Sequence, residues 1–392
     1  MKVEARITTF FLIGKVFSAF PHQHSRPASP RILVIKPDHF GDILLASPAI
    51  HQLRVAWPSA KITIAVSRLG AQVAHHIPNI DEILTIAFPG LGREPQQPLI
   101  PRWLALLSLA FQWRNKFDIA FLLRDDYYWG ALLTAIARIP ERYGTATPLC
   151  APLLTSTVPP QREHITRHHL RVVALATATT VPDHWSPPYA LHFTTSASPL
   201  QAQQLLHRHH LDTKRPFLLL HPGSGSPVKL WPTSYWATVI HHAFARYGLH
   251  TTVVTGQQEQ HLAQQIYALA PNIVTVVPPL SLAALATLMQ QASVVLGVDS
   301  GPLHLASALD VPSIRLYGPA DVQVYGPWAD PARHRSLQSL LLCSPCDRLF
   351  WDILDVPWHP CVRRIPPASV IKTLDEILEH SNLEHQTAQS PS

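Results

Sequence analysis

Three stretches of the chain place acids, one cation and glycines where apolar runs end. The first is KPDHFGDILLASP (36–48), which follows RILVI and carries Asp38, Gly41 and Asp42. A carboxylate held open at a strand end can take a proton from a ligand hydroxyl; the same acids can equally serve only to turn the chain. The second is HPGSGSPVKLWP (221–232), small and Gly-rich, with Ser224, Gly225 and one cation, Lys229, ahead of a helix. Such a loop lets backbone N–H groups approach anionic oxygens, with Lys229 and the helix N-terminus adding charge. It is neither a G-x-G-x-x-G nor a Walker loop, which argues against dinucleotide oxidoreductases and P-loop enzymes. The third is GVDSGPLHLASAL (297–309), where Ser300 is placed to cap a helix and Pro302 takes an early helical position. A diphosphate suits the N–H groups of Ser300 and Gly301; a well-capped structural helix, with Asp299 satisfying the turn, suits them as well.

The elements that would hold these loops alternate. RILVIK reads as a strand, Ser47-Pro48 as the cap and first position of a helix to about Ala56, and KITIAVS (61–67) as the next strand. FDIAFLL (117–123) reads as a buried strand and YYWGALLTAIARI (127–139) as the helix after it. In the second half, PFLLLHPG ends in a Gly turn, and WPTSYWATVIHHAFARYG runs from Pro232 to a stop at Gly248. TTVVTG, a helix over 258–269, NIVTVV, a helix capped by Ser281, VVLGV, PLHLASALD and SIRLYG follow in order. This βα alternation predicts α/β architecture with parallel sheets covered by helices. Two Rossmann-like halves joined by a Pro-rich link, with a junction near 195 to 215, predict a ligand cleft between them at the carboxyl ends of the strands.

A chain of 392 residues has room for two ordinary domains, and 47% apolar against 14% charged residues makes it globular. The net charge of +6 suits an anionic small ligand or membrane surface and is far from a nucleic-acid-binding polycation. The 24 histidines include the pairs His75-His76, His168-His169 and His241-His242, which lack metal-ligand spacing and read as surface bias. Four cysteines are too few for a disulfide framework and suit a reducing compartment. Cys343, Cys346 and Cys361 cluster late with His359 nearby, as reduced structural thiols or as a metal or redox group. The apolar run 7–20 is too short to span a membrane and is broken by Lys15; it reads as an interfacial helix or a packed extension, ahead of a linker.

These motifs, in this order, resemble the ADP-heptose:lipopolysaccharide heptosyltransferases, glycosyltransferase family nine. ILVIKPDHFGDILLASPAI resembles that family's opening strand, G-D turn and following Pro. HPGSGSPVKLWPTSYWA resembles its H-P-G-S-G…K-x-W-P segment, and GVDSGPLHLASALDVPSIRLYGP its D-[ST]-G-x-x-H-L segment and the L-[YF]-G-P that follows. The resemblance spans residues 31 to about 328, and CSPC with a later Cys and VIKTLDEIL looks like the tail of many members. It implies a GT-B fold, two Rossmann-like domains with parallel sheets facing an interdomain cleft, and inverting transfer from a nucleotide sugar. By the same resemblance Asp42 aligns with the general base and Lys229 with the lysine near the donor phosphates. Asp299, Ser300, Gly301 and His304 align with the donor loop, joined by Ser224 and Gly225. Glu259 aligns more loosely as a ribose ligand. Asp38 and Gly41 are acceptor-side candidates without a fixed counterpart. Residues 148–200 and the loops PGLGREPQQPLIP and DRLFWDILDVPWHP match no motif.

The chemistry agrees with the assignment: an inverting transfer needs a base on one side and stabilisation of a departing diphosphate on the other. No cofactor and no metal are expected, since Lys229 and helix N-termini can carry the diphosphate charge and no D-x-D occupies a suitable loop. The expectation is therefore a cytoplasmic enzyme, with peripheral contact at the inner membrane as an option and no nucleic-acid partner. Its expected donor is ADP-heptose and its acceptor a lipopolysaccharide core or related glycan. Rival expectations keep the fold with another nucleotide sugar or a protein acceptor, or make the chain a catalytically silent nucleotide-sugar-binding protein. The expected domains are an extension (1–30), an acceptor domain (31–205), a nucleotide-sugar domain (206–365), a helix (366–380) packing back on the N-terminal domain, and a disordered tail (381–392).

Overall fold

The computed structural model describes residues 8, 11–12, 14–16, 26–88, 99–195, 215–348 and 358–388. The chain divides into two compact units, residues 1–184 and 185–392. The boundary expected at 205/206 lies outside the described residues.

The N-terminal unit runs β1 (Arg31–Lys36), α1 (Phe40–Ala56), β2 (Lys61–Val66), α2 (Arg68–Ala74), β3 (Glu82–Thr85), α3 (Leu99–Gln112), β4 (Ile119–Leu122), α4 (Tyr128–Ile136), β5 (Glu141–Thr145), β6 (Ser156–Val158) and α5 (Ile165–Thr177). Its six strands lie in the order β3-β2-β1-β4-β5-β6, all parallel. The C-terminal unit runs β7 (Phe217–His221), α6 (Thr233–Tyr247), β8 (His250–Val254), α7 (Gln260–Leu269), β9 (Val274–Val277), α8 (Leu282–Gln290), β10 (Val294–Val298), α9 (Gly301–Ala308), β11 (Ser313–Tyr317), α10 (Val322–Tyr325), β12 (His334–Gln338) and α11 (Pro367–Ala388). Its order, β12-β11-β10-β7-β8-β9, is the same doubly wound pattern with β7 in the place of β1. The central strands are buried on both faces, so RILVIK, FLLLH and VVLGV read as continuous apolar runs rather than alternations. In each sheet the direction of winding reverses between the first and fourth strands, which leaves a crevice at their carboxyl ends. The crevices fall at β1/β4 and at β7/β10.

Helix α1 departs from expectation. It begins at Phe40 rather than at Ser47, which puts Gly41 and Asp42 in its first turn and Pro48 in its interior. A proline there removes one N–H and crowds the preceding turn. The polar groups it leaves are met by other donors: Ser47 Oγ donates to Leu44 O at 2.7 Å, and Thr166 Oγ1 of α5 to Leu45 O at 2.9 Å. His169 Nδ1 lies 3.3 Å from the same Leu45 carbonyl. The helix therefore continues through Pro48 because α5 is packed against it.

The closing helix is anchored in its own unit: α11 buries Val370, Leu374, Ile377 and Leu378 in the C-terminal unit's core, with Trp231 and Trp236. Asp375 fixes it to α6, accepting from Tyr247 Oη at 2.9 Å and facing His242 Nε2 at 2.8 Å. With no Gly or Pro between Pro367 and Pro391, nothing stops the helix at 380, and it runs to Ala388 where a tail was expected. Residues 389–392 lie outside the described residues. Near the N-terminus, Gly14 is buried where a Cβ would stand 2.6 Å from side-chain carbons of Leu132 and Leu153. At that point the extension is packed on α4, although Leu12 and Val16 are exposed.

Leu374→Ala should remove about 2–5 kcal/mol from the C-terminal unit. Hydrogen exchange on the full chain should show the loss of protection in strands β7 to β11 and not in β1 to β5; the reverse pattern would place the helix on the wrong unit.

Candidate active site

In the N-terminal unit, the crevice between β1 and β4 is filled by charge. Lys36, the last residue of β1, is buried at 2% exposure. Its Nζ donates to Leu123 O at 2.8 Å and pairs with Asp38 Oδ2 at 2.9 Å. Arg124, just past β4, donates from Nη1 to Asp38 Oδ1 and from Nε to Asp126 Oδ1 at 2.7 Å. The Asp38 carbonyl in turn accepts from Ser67 Oγ at 3.2 Å, the same hydroxyl that caps α2. One small network thus joins the ends of β1, β2 and β4.

This environment separates the two acids of the motif. Burial opposes the charge on Asp38, but Lys36 and Arg124 outweigh it and hold the carboxyl below the usual range. Asp42 is pushed the other way, first by burial and then by the neighbouring Asp38 charge, with Lys36 and His39 only partly countering. Two nearby carboxyls whose proton affinities are driven apart are the arrangement in which one keeps its charge and the other can exchange a proton. Gly41 stands beside Asp42 in the same helical turn, partly exposed.

Beside the crevice, Asp125 Oδ1 lies 2.9 Å from His168 Nε2 and accepts from Thr145 Oγ1 at 3.0 Å. His168 Nδ1 faces Glu163 Oε1 at 3.2 Å, and Arg167 and Arg171 hold Glu163. The pair His168-His169, read from sequence as surface bias, is buried at 2% and 0% exposure. Both rings sit on the face of α5 turned toward α1 and the strand ends. The available signal was Pro48, since a proline inside a helix requires outside donors. Arg124 and Asp125 were also missed; LLRDD at the end of an apolar strand was their signal.

In the C-terminal unit, the crevice between β7 and β10 gathers most of the expected donor residues. Lys229, in the 3-10 turn Pro227–Lys229, pairs with Asp299 Oδ2 at 2.5 Å. Ser300 stands at the N-cap of α9 without a side-chain cap bond; its Oγ instead lies 3.3 Å from His221 Nδ1 at the end of β7. Glu259 reaches back over two glycines: its Oε2 accepts from Gly256 N at 3.1 Å and stands 2.8 Å from where a Cβ on Gly223 would be. A side chain at Gly223 would displace that carboxylate. Ser224 Oγ accepts from Ser226 N at 3.4 Å, with Gly225 between them. Gly301 opens α9, whose His304 is buried and shares its Nδ1 with Arg315 Nη1 at 3.1 Å. Arg315 is fully buried and also binds Tyr317 Oη at 3.0 Å and Ser307 Oγ at 3.2 Å, a support the sequence reading did not identify.

The three late cysteines line one pocket with Val228, Trp358 and His359. Cys343 and Cys346 are exposed, and burial pushes the Cys361 thiol up. Among the described residues, no group of three or more His, Cys, Asp or Glu is arranged to hold a metal ion.

Residues 106–348 match glycosyltransferase family 9 (heptosyltransferase). The chain belongs to that family. The lipopolysaccharide heptosyltransferase 3 of Escherichia coli is 23% identical over 361 residues, 87% of this chain and 97% of that protein. The structure of the E. coli ADP-heptose lipopolysaccharide heptosyltransferase II superposes with a TM-score of 0.69 at 19% identity, covering 90% of this chain and 99% of that one. The fold of this glycosyltransferase is thus GT-B. A second solved structure, TibC of enterotoxigenic E. coli, described as an iron-containing dodecameric glycosyltransferase, shares the fold at a TM-score of 0.52 and 15% identity, covering 92% of this chain and 78% of that one.

The β7/β10 crevice of the glycosyltransferase carries a pH signature. Burial depresses His221 to about 4, against about 6.5 in an unfolded chain. A histidine depressed on folding leaves stability intact above 6.5 and removes it as pH falls from there toward 4, because the unfolded state takes the proton first. Urea unfolding at pH 7 and at pH 4.5 should therefore show wild type losing on the order of 2–3 kcal/mol more than His221→Gln. Equal losses would mean that His221 is not held neutral.

Proposed function

We propose that this family-9 glycosyltransferase moves a heptose from ADP-heptose to a lipopolysaccharide core or related glycan, with inversion at the anomeric carbon and Asp42 as general base. The observation that carries the reading is the division of charge between the two crevices. One presents a carboxylate of raised proton affinity at the start of a helix. The other presents a lysine, a run of small residues and a helix N-terminus.

Each part has a task. Asp42 takes the proton from the attacking acceptor hydroxyl. The attack displaces the diphosphate from the opposite face of the sugar, so that one C–O bond forms as the other breaks. Lys229, now paired with Asp299, turns to the departing diphosphate, and the N–H groups at Ser300 and Gly301 add the α9 dipole. Ser224 and Gly225 bring backbone N–H groups to the same oxygens. Glu259, poised over Gly223, takes the ribose hydroxyls. His304 is fixed from behind by Arg315 and orders the first turn of α9. These groups carry the diphosphate charge without calling on a cofactor. The donor reading is supported by the family and by the ADP-heptose named for the E. coli relative. Lipid-linked acceptors place such an enzyme at a membrane face in the cytoplasm; among the described residues no helix is long and apolar enough to cross one.

Asp42→Asn should lower transfer by about 10²–10⁴-fold while leaving ADP affinity within a few-fold. Lys229→Ala should instead weaken ADP binding, measured by calorimetry, because it also leaves the Asp299 charge facing the phosphates. ADP release from ADP-heptose with a heptose-deficient lipopolysaccharide is the assay. Turnover with a UDP-sugar and none with ADP-heptose would sink the donor assignment, and near-wild-type transfer by Asp42→Asn would sink the base.

A further inference from the structure

Asp38 has no part in the reaction as described above, yet it is the most heavily constrained acid of the motif. It is 7% exposed, with Oδ2 paired to Lys36 Nζ at 2.9 Å and Oδ1 to Arg124 Nη1. Taking the Lys36 and Asp38 charges out of water is costly, and well-packed apolar residues of similar volume are often as stable or more so; Arg124 joins them half-buried. A turn needs no such device. The second anchor is local: Asp42 stands four residues on, in the first turn of α1 just past the His39 cap, and the Asp38 charge raises its proton affinity.

We propose that Asp38 is a positioning residue for the proton transfer: a fixed negative charge, locked in place by Lys36 and Arg124, that strengthens Asp42 as a base. The inference rests on Asp42 being that base. The clamp is what makes the device dependable, since an unpaired buried acid beside Asp42 would share its proton instead of polarising it. The charges around the pair come from each neighbouring element. Lys36 from β1 and His39 from the turn act on Asp42 against Asp38. Arg124, Asp126 and Tyr127 follow β4, with Arg124 neutralising one oxygen of Asp38. Asp125, held by His168 of α5, and His169 of the same helix both feel Lys36. The field at Asp42 is thus a balance in which Asp38 has one sign and Lys36 and His39 the other, with Arg124 acting through its hold on Asp38.

That balance makes two substitutions move one observable in opposite directions. Asp38→Asn keeps the shape but leaves Lys36 and Arg124 uncompensated, so Asp42 should bind its proton more weakly. Arg124→Gln leaves Asp38 half-neutralised, so Asp42 should bind its proton more tightly. The full chain labelled with carbon-13 at the aspartate carboxyl reports this by NMR, the Asp42 signal being the one absent from Asp42→Asn. The titration midpoint should fall by about one pH unit in Asp38→Asn and rise in Arg124→Gln. The acid limb of kcat/KM for heptose transfer should move with it. Midpoints unchanged in both variants, with native-like melting curves, would overturn the proposal and leave Asp38 a structural residue. If Asp38→Asn does not fold, Arg124→Gln decides alone, and no rise there is refutation. Transfer that survives Asp42→Asn would overturn the base assignment itself, and the midpoints are measured independently of that result.

Discussion

A lysine and an aspartate buried at the end of a central strand must be paired, and the pairing organises the N-terminal half. Lys36 cannot leave β1 without abandoning both the Leu123 carbonyl and Asp38. Asp38 cannot turn outward without stranding Lys36 and Arg124. The interaction therefore sets the path by which the chain leaves β1 and enters α1. The start of α1 sets where Asp42 points. A single requirement of electrostatic satisfaction, imposed at the crevice between β1 and β4, is passed on to Asp42, the group proposed as the base.

The C-terminal half solves a matching problem with other residues. Its crevice is bounded by His221, kept neutral by burial, and by Asp299, paired with Lys229. Behind them Arg315 threads beneath α9, tying Leu303, His304 and Ser307 to β11. The buried guanidinium fixes the helix whose N-terminus faces the crevice. Both halves thus use a buried cation to hold a helix start. In the first half the helix start carries an acid; in the second it is left as bare N–H groups.

Much of this was legible as sequence. Strands β1, β2, β4 and β7 to β11 announced themselves as apolar runs of four to six residues, and the alternation with helices followed; β3, β5, β6 and β12, half-exposed, short or polar, did not. Lys229, Asp299 and Asp42 stood out because unusual residues occupy strand ends. What could not be read were relations between distant segments. Arg124 meets Asp38 only because β4 lies beside β1, a neighbour relation set by crossover order and not by spacing along the chain. The start of α1 was misplaced because Ser47-Pro48 is a good local helix signal, and it yields to donors on α5 more than a hundred residues later. The two histidines of α5 looked like surface bias for the same reason: their partners are remote. Local chemistry was visible, and tertiary overrides were not.

The closing helix has a consequence for anyone recombining members of this family. Because α11 lends Val370, Leu374, Ile377 and Leu378 to the core that also holds Trp231 and Trp236, it is an integral part of the C-terminal unit. A chimera that swaps C-terminal halves between relatives should carry this segment with its own sheet, whatever the origin of the first half. A cut made just before Pro367 would leave a groove along α6 lined by tryptophans, His242 and Tyr247, and the graft would inherit a foreign helix with no complementary surface to lie on.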